Sequence, residues 1–141
     1  MKISNLDHTA DAGVKIIAGT LEELFRGAAQ GMYRVTGCTG KGTTEGTQTL
    51  ELKEDSLDIL LVSFLNELNY YISTHYQVLE PIKKITVEED GDNWKLICVA
   101  ETKKIGREEL EELTEIKAVT YHQLEIKREN DGYHTQIIFD L

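Results

Sequence analysis

Apolar and polar positions change rhythm along this chain, and the changes divide it into elements. Over residues 12–19, Val14, Ile16 and Ala18 alternate with Gly13, Lys15 and Ile17, the period of a strand. From Thr20 the period lengthens: Leu21, Leu24, Phe25, Ala28, Met32 and Val35 fall on one face of a helix. Thr20 and Glu23 form a capping box at its start, and Gly37 is its expected stop. Residues 38–46 hold three glycines and three threonines and read as a mobile loop. Strand alternation resumes over 47–53, with Leu50 and Leu52 on one face. Asp55 and Ser56 then open a second helix, with Leu57, Leu60, Leu61, Phe64, Leu68 and Ile72 as its main stripe. Ile59, Val62 and Leu65 widen that stripe until little of the helix is polar, which predicts a largely enclosed helix.

Beyond Pro81 the pattern is mainly β. Residues 82–89 and 94–103 flank Asp90-Gly91-Asp92-Asn93, a hairpin turn, and residues 119–128 and 133–141 flank Asn130-Asp131-Gly132, a second one. Residues 106–113 are polar enough for one or two helical turns. There is no internal repeat, low-complexity tract or linker, so residues 1–141 are expected to form one domain. The order strand, helix, strand, helix and two hairpins predicts an α+β two-layer sandwich, its helices packed on one face of a mainly antiparallel sheet.

Composition narrows what such a domain can do. With 40% hydrophobic and 28% charged residues the chain reads as an ordinary folded domain. No apolar run approaches the ~18 residues of a membrane span, and the opening residues lack the apolar core of a secretion signal. A cytoplasmic protein without membrane contact is the expectation. Cys38 and Cys98 are too far apart in sequence for a zinc or disulfide framework; Cys98 lies in an apolar run and reads as core. The formal net charge is −10, from 25 acidic and 15 basic residues. Phosphate repels such a surface, so RNA can enter this protein's role only through a partner, while a basic protein or a hard cation suits it.

Three segments could carry chemistry. Asp7-His8-Thr9-Ala10-Asp11-Ala12-Gly13 crowds two carboxylates, an imidazole and a hydroxyl before the first clear strand. They can cap loop backbone, or Asp11 can offer oxygen to a hard cation. The last strand ends Phe139-Asp140-Leu141, where a carboxylate follows an apolar run and must reach solvent or a partner. With Leu141 expected to end the chain, its carbonyl and carboxylate add oxygens there. Should the first and last strands meet, Asp11 and Asp140 would repel each other unless a divalent cation removed the penalty. The third segment is Lys117-Ala118-Val119-Thr120-Tyr121-His122. There His122 shares strand parity with Leu124 and Ile126 and reads first as a hydrogen-bonded core histidine, and Lys117 reads first as a solvated lysine. His75 and His134 have no evident partner. Gly40-Lys41-Gly42-Thr43-Thr44 follows a helix rather than preceding one, unlike a phosphate loop.

At these residues the sequence resembles the archease family. The likeness rests on His8-Thr9-Ala10-Asp11-Ala12-Gly13, Thr20-Leu21-Glu22-Glu23, Ala28-Ala29-Gln30-Gly31-Met32, Phe64-Leu65-Asn66-Glu67-Leu68, Lys117 through His122, and Phe139-Asp140-Leu141, and it spans the chain. The resemblance implies a strand-helix-strand-strand (SHS2-like) module with extra β hairpins. It implies a protein cofactor, not an enzyme alone. Its partner would be an RtcB-type RNA ligase, which joins cyclic or 3′-phosphate ends to 5′-hydroxyl ends. The cofactor would promote guanylylation of the ligase histidine, allow multiple turnover and widen nucleotide use, in tRNA splicing or RNA repair. It further implies a divalent metal, calcium first with magnesium or manganese next, held by Asp11, Asp140 and Leu141; His8, Lys117 and His122 match family positions whose roles carry over less directly. Two other functions remain open on the residues alone: a stand-alone metal-dependent phosphoester hydrolase around Asp11, His8 and Asp140, and a general chaperone or scaffold using the apolar second helix.

Overall fold

The helix expected from Thr20 runs from Leu21 to Thr36 (α1). Thr20 Oγ1 accepts the Glu23 N–H at 3.1 Å. The return half of the capping box lands one residue early, since Glu23 Oε2 accepts from the Gly19 N–H at 3.4 Å. Gly37, with φ +86°, closes the helix in a left-handed conformation that a residue without Cβ adopts at little cost. The second helix, Leu57–Tyr70 (α2), starts as expected, with Ser56 Oγ accepting the Ile59 N–H at 3.1 Å. It passes into a single π-helical turn, Tyr71–His75. These features come from a computed structural model that describes residues 1–7, 11–121 and 124–141, with the backbone alone described for Leu6, Asp7 and Asp11.

The remaining elements are β1 (Lys2–Asp7), β2 (Asp11–Ala18), β3 (Thr44–Glu54), β4 (Gln77–Asp90), β5 (Asn93–Lys104), the short α3 (Arg107–Glu112), β6 (Ala118–Val119), β7 (Lys127–Glu129) and β8 (Gly132–Asp140). The α+β class holds, with helices packed against antiparallel sheets. The strands divide between two of them: one ordered β1-β2-β8-β6 with β7 also on β8, the other ordered β3-β5-β4. Both helices lie in the shared core. Leu24, Phe25, Ala28 and Met32 of α1 are fully or almost fully buried, as are Leu60, Leu61, Val62, Phe64, Leu65 and Leu68 of α2. The rings of Phe25 and Phe64 join the helices at 5.9 Å between centroids.

Four elements differ from the sequence reading, one of them β4, which begins at Gln77 and runs through Pro81 instead of starting at residue 82. β1 was not expected, because Ile3 and Leu6 do not alternate; it forms by pairing with β2 along its whole length. The loop expected over 38–46 gives way to strand at Thr44, and its first part is tied down. Glu109 Oε1 accepts both the N–H and the Oγ1–H of Thr39, at 2.9 and 3.0 Å. The strand expected over 119–128 is broken. Ala118 pairs with Asp140 and Lys127 with His134: the first members are nine residues apart and their partners six. Three residues too many stand between β6 and β7 for one continuous ladder. The hairpin turn beyond it is as expected, with Asn130 and Asp131 at φ +51° and +63°, the signs a type I′ turn requires.

α1 also closes an open sheet edge. β4 borders its sheet, and three side chains along α1 bond its backbone. Glu22 Oε2 accepts the Val87 N–H (3.0 Å), an Arg26 guanidinium N–H donates to the Ile82 carbonyl (2.8 Å), and the Tyr33 hydroxyl accepts the Leu79 N–H (3.2 Å). An edge so engaged offers little for another strand to pair with. Burial raises the Tyr33 hydroxyl pKa far above its ordinary value and lifts the Cys98 thiol to about 11, with nearby Arg26 opposing the latter weakly. Cys98, fully buried between Leu50 and Ile85 in the register, is core as expected.

Candidate functional site

The sheet ordered β1-β2-β8-β6 brings the three chemistry-bearing segments to one end. β2 begins at Asp11, and Asp11 is the Cα partner of Asp140 in the antiparallel β2–β8 pair. On the other flank of β8, Ala118 is also paired with Asp140. The Lys117 N–H donates to the Asp140 carbonyl at 2.8 Å, and the Thr120 N–H to the Ile138 carbonyl at 3.1 Å. Directly opposed positions of an antiparallel pair share a face, with Cβ atoms about 4.5–5.5 Å apart. Register alone therefore assigns positions 11 and 140 to one face. On β8 that face is the outer one, since Thr135, Ile137 and Phe139 point to the core and Asp140 is exposed. Leu141, the next residue, packs partly against the core and fixes the end of the strand.

The residue types that meet at this rung are ones whose oxygens suit a hard cation. Two carboxylate-bearing residues meet across one rung, and Leu141 follows Asp140 directly; carboxylate and backbone oxygens are the donors that calcium, magnesium and manganese take. Lys117 arrives at the same rung by its backbone, while its exposed residue lines a separate groove next to α2. His8 and His122 lie outside the described residues. Tyr121 is exposed. The two histidines without evident partners acquire them: His75 packs its ring on Tyr71 and Tyr70, at 5.0 and 5.4 Å between centroids. His134 Nε2 sits 2.7 Å from Glu129 Oε2 across the β7–β8 hairpin, off the line of a well-directed hydrogen bond.

What the sequence reading missed is the support beneath the site. Asn66 Oδ1 accepts the Val119 N–H (3.1 Å), and Asn69 Nδ2 donates to the Ile116 carbonyl (2.8 Å). Asp58 Oδ1 accepts the Ile126 N–H at 2.9 Å. Polar residues of α2 thus bond the backbone at Ile116, Val119 and Ile126, and Val119 belongs to the strand that flanks Asp140. Their signal in the sequence was spacing: Asn66 and Asn69, three apart, interrupt a nearly all-apolar helix.

Comparison with known proteins places the chain in a family. The Archease protein family (MTH1598/TM1083) matches residues 4–141. The chain is 35% identical to the protein archease of Methanosarcina barkeri over 136 residues, covering 96% of this chain and 93% of that one. It is 33% identical to that of Thermococcus kodakarensis, covering 99% of both. Its structure resembles the solution structure of Methanobacterium thermoautotrophicum protein 1598, with a TM-score of 0.79, 28% identity and coverage of 99% and 98%. The fold is also that of a Thermotoga maritima archease described as a possible chaperone, with a TM-score of 0.61, 24% identity and coverage of 100% and 98%. This chain belongs to the archease family.

Proposed function

We propose that this protein is an accessory factor of an RtcB-type RNA ligase, promoting guanylylation of the ligase and its repeated turnover in tRNA splicing or RNA repair. The observation that carries the reading is the register that opposes Asp11 to Asp140 at an exposed end of the sheet. Asp11, Asp140 and a backbone oxygen of Leu141 would hold a divalent cation there, with calcium first and magnesium or manganese as alternatives. Bound at this end, such an ion supplies charge neutralisation and alignment for a triphosphate. Three protein residues are fewer than the about six to eight oxygens calcium takes, which leaves room for phosphate oxygens of the ligase's nucleotide.

The chain's own residues have the task of presentation. Asn66 and Asn69 anchor the segment around Lys117, the Lys117 N–H fixes the Asp140 carbonyl, and Leu141 is held against the core. The Asp140 side of the rung is thereby braced for presentation to a partner's cleft. RNA would be met through the ligase, as the net charge of −10 requires.

The test is guanylylation of the cognate ligase, followed with wild type, Asp11→Ala and Asp140→Ala. Both variants should lose most of the stimulation, and unchanged stimulation by both would end the proposal. Phosphate release from simple phosphoesters by the purified protein alone would favour a hydrolase instead. A chaperone acting through α2 is disfavoured, because its six large central apolar residues are buried.

A further inference from the structure

Beside the acidic rung, α2 and its π-helical turn form one wall of a groove of about 380 Å³, and α3 with residues 113–117 form the other. Ile72 and Ile116 are buried, and Leu110 and Leu113 pack partly against the core, so the deeper lining is apolar. Two of its polar side chains are already engaged, as is one backbone N–H. Asn69 donates to the Ile116 carbonyl, the Thr36 hydroxyl donates to the Tyr33 carbonyl, and the Thr36 carbonyl accepts the Thr114 N–H at 2.9 Å. An apolar side chain from a partner would find matching surface at its centre.

The rim has a definite charge. Residues 107–117 carry five glutamates, at 108, 109, 111, 112 and 115, against Arg107 and Lys117. Of these, Glu115 lines the groove, and Glu108, Glu111 and Glu112 are exposed on α3 beside it. At the opposite lip Tyr76 is 52% exposed, although a large apolar ring there gains nothing from water. Exposed tyrosine, an apolar centre and a charged surround are the composition of an interface anchor. π-helical turns are uncommon and gather at functional sites, and this one carries Ile72 and Ser73 into the groove.

We infer that this groove docks a basic segment of the partner ligase, one aliphatic or aromatic side chain filling the apolar centre while arginine or lysine neighbours meet the glutamate rim and the face of Tyr76. The inference rests on the proposed ligase-activating function and names the surface that function needs. An enzyme that holds RNA must present basic surface around its cleft, and the glutamate rim is complementary to it. Lys117 belongs to the groove and its N–H holds Asp140, so a partner seated there has the acidic rung immediately alongside.

The test measures affinity of the cognate ligase for the full-length protein by titration calorimetry at two salt concentrations. Ser73→Trp, at an exposed groove position, should lower affinity tenfold or more. The triple variant Glu111→Lys, Glu112→Lys and Glu115→Lys should lower it comparably and flatten its salt dependence. Raising the concentration of either variant should restore ligase guanylylation, whereas Asp140→Ala should bind normally and fail to stimulate at any concentration. Thermal melts within a few degrees of wild type confirm that both variants fold. Wild-type affinity in both would overturn the inference and leave the ligase-activating function standing. A wild-type protein that neither binds nor stimulates the ligase would overturn both. If Ser73→Trp alters only self-association of this protein in sedimentation, the groove is an interface between copies and the inference is wrong.

Discussion

Asn66 of α2 accepts the backbone N–H of Val119 at 3.1 Å, tying the most enclosed helix to the shortest strand. β6 has two residues and cannot be secured by ladder bonds alone. Asn66→Leu matches the side chain in size but leaves that N–H without an acceptor, at a cost of about 1–3 kcal/mol. Asn66→Asp keeps the acceptor and should recover most of the loss. Urea denaturation of the three proteins checks the order. If Lys117 and Asp140 owe their relation to this anchor, Asn66→Leu should also reduce ligase stimulation at temperatures where it is folded.

The proposed cation has a stability signature independent of any ligase. A ligand that binds only the folded chain stabilises it by about 2.7 kcal/mol at one hundred times its dissociation constant. Calcium should therefore raise the melting temperature of wild type by several degrees, and a chelator should reverse the shift. Asp11→Ala and Asp140→Ala should show no shift. Equal shifts in all three proteins would place the ion elsewhere.

Tyr33→Phe tests the closure of the β4 edge. The Leu79 N–H is buried and the Tyr33 hydroxyl is its acceptor, so the variant should lose about 1–3 kcal/mol. Amide exchange at Leu79 should quicken more than at Leu96, in the middle of the same sheet. Equal protection in both proteins would show that the edge does not depend on this bond.

Alkaline pH should weaken the fold through Cys98. Burial raises its thiol from 9.0 to about 11, so between these values the unfolded chain releases a proton that the folded chain keeps. Stability from this group is fully present below pH 9, falls as pH rises toward 11 and then levels off. A gap of that size corresponds to at most about 2–3 kcal/mol. Tyr33, raised by burial in the same sense, extends the decline to higher pH. Urea midpoints at pH 8 and pH 10.5 should differ less in Cys98→Ala than in wild type.

Local chemistry made much of this fold legible. Thr20, Ser56 and Gly37 mark helix ends because capping acts within three or four residues, and the structure places those ends within a residue of expectation. The turns at 91–92 and 130–131 were readable because left-handed backbone favours Gly, Asn and Asp. β1 was not legible. Its residues carry little strand pattern of their own, and pairing with β2 supplies the order. Nor was the break between β6 and β7, because the surplus of three residues appears only when both are paired to the same β8.

The sequence by itself determined the helix limits, the hairpin turns, the buried faces of α1 and α2, and the family to which the chain belongs. It also supplied the acidic residues near its two ends, which no local rule connects. Only the tertiary structure decided that Asp11 and Asp140, 129 positions apart, occupy one rung, and that Asn66 and Asn69 brace the neighbouring strand. The physical reason is range. Capping and turn preferences act through a few covalent neighbours, whereas register is set by the simultaneous burial of both faces of distant strands.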